Sequence, residues 1–190
     1  MRMSVLRLFI AIETPHQIKL QLGEIRDRLK GSGADVKWEQ NEKLHATLKF
    51  LGATDEGLLP QIVSYIEGVG RAHTPLLLKY AGVGCFPNHR APRVVWVGME
   101  DLKGNILSLQ QQIESILTHL GFKHEERTFH PHVTIGRVKS NRKIESLLRM
   151  MESVTFESQP VTMGELILVK SELKPSGSVY TTLKTIPLTA

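Results

Sequence analysis

Two copies of a His-x-Thr core carry the chemistry available to this chain, His45-Ala46-Thr47-Leu48 and His132-Val133-Thr134-Ile135. Each lies in an apolar run of strand-forming character. In a β-strand, residues i and i+2 point to one face, about 7 Å apart. Each copy therefore aims an imidazole and a hydroxyl at the same surface. Two such strands face to face would supply two acid–base groups and two small hydrogen-bond donors, enough to open a phosphodiester without a metal. On a 2′,3′-cyclic phosphate, a neutral imidazole would take the proton of attacking water while an imidazolium opposite protonates the departing oxygen. Histidine suits both roles because its reference pKa of about 6.5 keeps both forms accessible near neutrality. The hydroxyls would donate to the non-bridging oxygens as charge develops there.

With 8 His and 13 Thr among 190 residues, chance gives roughly half a His-x-Thr match per chain, so one copy says little. Two copies in matching surroundings say more. His45 and His132 are 87 positions apart, and the same offset lays Arg7-Leu8-Phe9-Ile10-Ala11-Ile12-Glu13 on Val94-Val95-Trp96-Val97-Gly98-Met99-Glu100. An internal repeat of this length indicates duplication of a supersecondary unit.

The elements that must position these residues follow from periodicity. Leu6–Ile12 reads as a buried strand. Pro15 opens a helix through Ile18, Leu22, Ile25 and Leu29, stopped by Gly31-Ser32-Gly33. Val36–Trp38 is a short strand and Glu39–Glu42 a polar turn. Leu44–Leu51 is the first motif strand, with His45, Thr47 and Lys49 on one face and Ala46, Leu48 and Phe50 on the other. Gly52 is expected to end it, and Thr54 to cap a helix running to about Val69. Leu76–Val83 is a strand that can continue to Phe86, and Pro87–Pro92 a loop between the halves. Val94–Met99 is again a strand, and Ile106, Leu109, Ile113, Ile116 and Leu120 mark a helix. His132–Val138 is the second motif strand. A helix with Ile144, Leu147, Leu148 and Met151 follows, then a strand over Val161–Val169, a turn at Lys174–Gly177 and a last strand at Val179–Leu183. The unit strand, helix, motif strand, helix, strand thus occurs twice. It divides the single domain 1–190 into pseudo-twofold halves, about 1–88 and 93–190, with the last strand free to cross between lobes. Neither half is large enough to bury its sheet comfortably alone, and a twofold packing would place a cleft between the motif strands.

Composition bounds the rest. The chain has 190 residues, 41% hydrophobic and 23% charged, suiting an ordinary soluble protein with a core. Its single cysteine, Cys85, excludes an intrachain disulfide and fits a reducing compartment. No apolar run approaches the ~18 residues that span a bilayer. Met1–Thr14 reads as a strand and not as a signal peptide, so the expected location is cytoplasmic. A formal charge of +5 favours anionic partners such as RNA or nucleotides.

The duplicated motif, Leu44-His45-Ala46-Thr47-Leu48-Lys49-Phe50-Leu51-Gly52 and Phe129-His130-Pro131-His132-Val133-Thr134-Ile135-Gly136-Arg137, closely resembles the 2H phosphoesterase superfamily. Within it the chain is similar to the RNA 2′,3′-cyclic phosphodiesterases, also called 2′-5′ RNA ligases. Arg7–Ile12, Phe86-Pro87, Pro92–Trp96, Ser171-Glu172-Leu173, Gly177 and Tyr180 add to the likeness. The resemblance implies a bilobal α+β fold, with two antiparallel sheets around a central cleft, helices outside and one motif strand per lobe. It implies no metal and no other cofactor. It implies opening of RNA 2′,3′-cyclic phosphates to 2′-phosphomonoesters, with reversible 2′-5′ joining in some members. His45 inherits the role of proton donor and His132 that of acceptor. Thr47, Thr134 and Arg137 inherit phosphate contacts. The implied partners are RNA ends bearing the cyclic phosphate, tRNA fragments among them, or nucleotide analogues, met by a monomer.

Strand parity alone puts Arg137 opposite His132 and Thr134, unless Gly136 permits a bulge that re-aims it. Lys49 has the parity to serve the first motif in the same way, and reads equally as an exposed strand lysine. The plainer reading of His45 and His132 is a pair of core histidines in repeated strands. The other histidines read as ordinary polar residues, and His130-Pro131-His132 lacks a nearby carboxylate or cysteine to complete a metal site. Phe9, Phe50, Trp96 and Phe129 read as core, while Trp38 and Phe86, nearer loops, are candidates to meet a nucleobase. Two alternatives stay open. The same pair could act on 2′-5′ oligonucleotides or small cyclic nucleotides, or the chain could bind RNA without catalysis.

Overall fold

The computed structural model describes residues 4–175 and 177–190. Met1–Met3 of the expected first segment and Ser176 of the expected Lys174–Gly177 turn lie outside the described residues. The run Leu8-Phe9-Ile10-Ala11-Ile12 has no polar face, and β1 (Val5–Glu13) is buried on both sides. The 3.6-residue spacing of Ile18, Leu22, Ile25 and Leu29 gives α1 (His16–Lys30), which buries those four side chains. There follow β2 (Val36–Trp38), β3 (His45–Asp55), α2 (Leu59–Arg71), β4 (Leu76–Phe86), β5 (Val94–Asp101), α3 (Ile106–Thr118), β6 (His132–Val138), α4 (Ile144–Glu152), β7 (Val161–Met163), β8 (Glu165–Lys174) and β9 (Gly177–Pro187).

The strands form two antiparallel sheets, ordered β3-β1-β8-β9 and β2-β6-β5-β4-β7. The α+β class with its two antiparallel sheets is therefore as expected. The offset of 87 relates β3-β1-β8 to β6-β5-β4, so each sheet takes its first two repeated strands from one repeat and the third from the other. The helices are exchanged in the same sense. Those of the first sheet are α2 and α3, which pack on β9 and β3, whereas α1 and α4 pack on β6 and β4. A continuous apolar core runs beneath both sheets, including Ile10, Leu22, Leu48, Ile66, Val97, Ile113, Val133 and Leu168. The motif strands β3 and β6 touch at the seam where the sheets meet.

Two element boundaries differ from expectation for clear reasons. Gly52 does not end β3. Val5–Leu8 of β1 offer ladder partners to Gly52–Asp55, and Gly52, at φ +68°, sits beside a bulge within a strand that continues to Asp55. Thr54 is consequently a buried strand residue and not a helix cap; the carboxylate of Asp55 accepts from the Gly57 N–H in a short 3₁₀ turn before α2. The single strand expected over Val161–Val169 is divided at Gly164, with β7 at the edge of one sheet and β8 inside the other.

Candidate active site

Register shows how β3 and β6 present their side chains. Across β1, His45 pairs with Glu13, Thr47 with Ala11 and Phe50 with Phe9. Across β5, His132 pairs with Gly98, Thr134 with Trp96 and Arg137 with Val94. Directly paired residues share a face, so His45, Thr47, Phe9 and Phe50 look into the cleft from one sheet. His132, Thr134, Trp96 and Arg137 look in from the other.

A bulge in each motif strand sets the facing of the residues beyond the threonine. In β6 the register shifts between Thr134 and Gly136, so Ile135 is the extra residue and Arg137 turns onto the face of His132. The parity reading that placed it opposite fails at that bulge, and Arg137 joins the site. In β3 the shift falls between Thr47 and Lys49, and there it removes the basic residue from the cleft. Lys49 turns inward, 4% exposed, and its ammonium donates to Glu114 of α3 at 2.5 Å and to the Lys123 carbonyl at 2.9 Å. It holds structure, not substrate. Phe50, expected in the core, emerges 65% exposed on the cleft face, its ring centroid 6.0 Å from that of Phe9. The repeat offset places Phe50 at the position equivalent to Arg137.

The two imidazoles have matching settings. His45 Nδ1 lies 2.8 Å from the Lys43 carbonyl, and His132 Nδ1 lies 2.6 Å from the His130 carbonyl. A carbonyl only accepts, so Nδ1 carries the hydrogen in both, and the neutral ring keeps its lone pair at Nε2. Phe9 stacks on His45 at 4.7 Å, and Tyr180 of β9 stands edge-on to it at 5.3 Å. Phe86 stands edge-on to His132 at 5.0 Å, with Trp96 at 6.2 Å. Phe9 and Trp96 are themselves equivalent under the offset. Reading them as plain core missed that each borders an imidazole, although their shared position one strand from each histidine was visible in the repeat. Trp38, in contrast, packs against the core over Gly136.

Burial pushes both histidines below the ordinary value of 6.5, because desolvation disfavours the cation. The carbonyl bonds oppose this by favouring the protonated ring. Arg137 lowers both, so one guanidinium acts on the two rings from between the sheets. Beyond that the rings differ. Glu13 raises His45 and Lys19 lowers it, whereas among the described residues the other charge bearing on His132 is that of His130, which lowers it. Arg137 is tethered to Glu39, Nε to Oε1, at 3.4 Å.

Beside His45 an open trough of about 480 Å³ crosses the β3-β1-β8-β9 sheet. Phe9, Ile167, Val169 and Tyr180 form an apolar floor, Thr182 and Thr185 add hydroxyls, and Glu13, Glu42 and Glu165 add carboxylates. Phe9, Ile167 and Val169, with Ala11, form a small cluster separate from the main core.

Paired sheets, each bringing one His-x-Thr strand to a common seam, are the architecture implied by the resemblance to the 2H phosphoesterases. The family model described as the 2′-5′ RNA ligase superfamily matches residues 14–175, and the chain belongs to that superfamily. It is 34% identical over 183 residues to an RNA 2′,3′-cyclic phosphodiesterase of Methanothermobacter thermautotrophicus, covering 96% of this chain and 98% of the relative. A relative of the same name from Methanocaldococcus jannaschii is 34% identical over 182 residues, covering 94% and 99%. Among solved structures, Escherichia coli LigT complexed with 3′-AMP superposes with a TM-score of 0.78 at 26% identity, covering 98% of this chain and 100% of LigT. A Thermus thermophilus protein gives 0.80 at 27%, covering 96% and 97%.

Proposed function

We propose that the protein opens RNA 2′,3′-cyclic phosphates to 2′-phosphomonoesters, using its two cleft histidines and no metal. The observation that carries this reading is the matched pair of imidazoles, each fixed at Nδ1 and free at Nε2, with Arg137 acting on both. The relatives named above as RNA 2′,3′-cyclic phosphodiesterases supply the substrate class.

The difference between the rings supports a division of labour. Glu13 favours the imidazolium at His45 against Lys19 and Arg137, which suits the general acid, while among the described residues the charges bearing on His132 are cationic and favour its neutral form, which suits the general base. His132 Nε2 takes the proton of the attacking water, and His45 delivers a proton to the departing ribose oxygen. Thr47 and Thr134 donate to the non-bridging oxygens, and Arg137 balances the charge that collects there. The nucleoside lies on the apolar floor of the trough beside His45. Reversal of the same steps would join RNA ends through a 2′-5′ linkage.

The test is hydrolysis of a nucleoside 2′,3′-cyclic phosphate in EDTA, with identification of the phosphomonoester formed. Wild type is expected to give the 2′-phosphate. His45→Ala and His132→Ala are each expected to lose about 10²–10⁴-fold in kcat. Equal activity in all three proteins would remove the histidines from the mechanism, and abolition by EDTA would require a metal.

A further inference from the structure

Lys37, Lys43 and Arg137 gather at one rim of the cleft. Lys37 pairs directly with Arg137 across β2 and β6, so both project from the cleft face of that sheet. Like charges directly opposite one another in a ladder are destabilising. The Lys37 and Lys43 ammonium groups come within 3.5 and 3.8 Å of the point where a Cβ on Gly177 would sit. They therefore flank one spot at the tip of the β8–β9 hairpin. Arg137 is held by Glu39, but among the described residues neither Lys37 nor Lys43 has a carboxylate within 4.0 Å. Gly177 has φ +123°, a conformation that side-chain-bearing residues rarely adopt, and its missing side chain leaves the space between the ammonium groups open.

This spot lies on the His45 side of the cleft. Lys43 lies two residues before His45, and Tyr180, three residues after Gly177, has its ring against His45. The trough beside His45, by contrast, is lined by three carboxylates and no lysine or arginine, so a second anion is repelled from it. We propose that Lys37 and Lys43, bracketing Gly177, form a second anion site that takes the phosphate on the 5′ side of the terminal nucleotide. The inference rests on the reading of the cleft as a site for RNA ends, and it adds a length requirement. A substrate carrying a 5′ phosphate engages both sites, whereas a nucleoside 2′,3′-cyclic phosphate engages one. Two unpaired ammonium groups close together gain most from such an anion, because it offsets their mutual repulsion as well as its own charge.

Calorimetric binding of a nucleoside 2′-monophosphate and the corresponding nucleoside 2′,5′-bisphosphate separates this site from the catalytic one. Wild type is expected to bind the bisphosphate about tenfold more tightly at low salt, with the advantage shrinking as salt rises. Lys37→Ala should reduce the advantage, and Lys37→Ala/Lys43→Gln should abolish it, while His45→Ala keeps it. Equal affinities for the two ligands in wild type, or an undiminished advantage in the double variant, would overturn the proposal. Hydrolysis of a nucleoside 2′,3′-cyclic phosphate, which has no 5′ phosphate, reads the phosphodiesterase assignment separately. Lys37→Ala is expected to leave that rate within about twofold of wild type.

Discussion

Glu13 stands directly across from His45 in the β1–β3 ladder and favours its imidazolium, although Lys19 pairs with the same carboxylate. Among the described residues no equivalent carboxylate acts on His132, although Glu100 occupies the repeat-equivalent position of Glu13; the Glu100 side chain instead pairs with Lys79. Under the proposed mechanism this small asymmetry would make His45 the acid and His132 the base. Both folded pKa values lie below 6.5, so the kcat/KM profile of the free enzyme is expected to be bell-shaped with its maximum below about pH 6.5. If His45 is the acid, its deprotonation sets the alkaline limb. Glu13→Gln then moves that limb to lower pH and leaves the acid limb in place. A profile whose acid limb moves instead would exchange the two roles. The same shifts bear on stability. Folding favours the neutral rings, so their contribution is fully present above pH 6.5 and is lost as pH falls through the folded values. Urea titrations at pH 7.5 and 5 should show a lower midpoint at pH 5, and less so in the His45→Ala/His132→Ala protein.

At the scale of elements, the two bulges explain both what the sequence revealed and what it concealed. The helices, most strands, the two His-x-Thr pairs and the α+β class were legible, because periodicity and an offset of 87 carry them without knowledge of the fold. The faces of Lys49, Phe50 and Arg137 were not. A period-2 reading assumes an uninterrupted ladder, and one extra residue, Leu48 in β3 or Ile135 in β6, reverses the residues that follow it, in β3 as far as the second bulge at Leu51. In β3 the reversal creates a tie between the two halves of the site. Lys49 grips Glu114, only 2% exposed, and Glu114 also accepts from the Glu125 N–H and the Gln110 amide. The segment after α3 that leads to His130 and His132 is thereby fastened to the strand carrying His45. Lys49→Met leaves a buried carboxylate without its partner and should cost roughly 3–5 kcal/mol in chemical unfolding. Lys49→Met/Glu114→Leu, which removes both charges, should recover most of that loss. If the double variant is as unstable as the single, the pair is not what holds that segment.

The exchange of third strands should make the whole molecule, and not either half, the folding unit. A piece ending at residue 88 keeps β1 and β3 paired but leaves β4 without β5 and β7, while β2 loses β6. A piece starting at residue 93 keeps β5 with β6 and β8 with β9, but β8 has lost β1 and β5 has lost β4. Each therefore exposes unpaired backbone along a strand that is interior in the intact protein, together with the apolar side chains beneath it. The break itself costs little, because Pro87–Pro92 is a loop between adjacent antiparallel strands, and most of it is exposed. Residues 1–88 and 93–190 expressed separately are expected to lack a cooperative unfolding transition, and co-expressed to assemble into a complex that hydrolyses the cyclic phosphate. A sharp transition from either piece alone would mean that one lobe can bury its sheet without the other. In that event the cleft would be a docking of two independent units. With the exchange intact, the chain crosses between the sheets from β2 to β3, from β3 through α2 to β4 and from β7 to β8, and these crossings limit how far the seam between the motif strands can open.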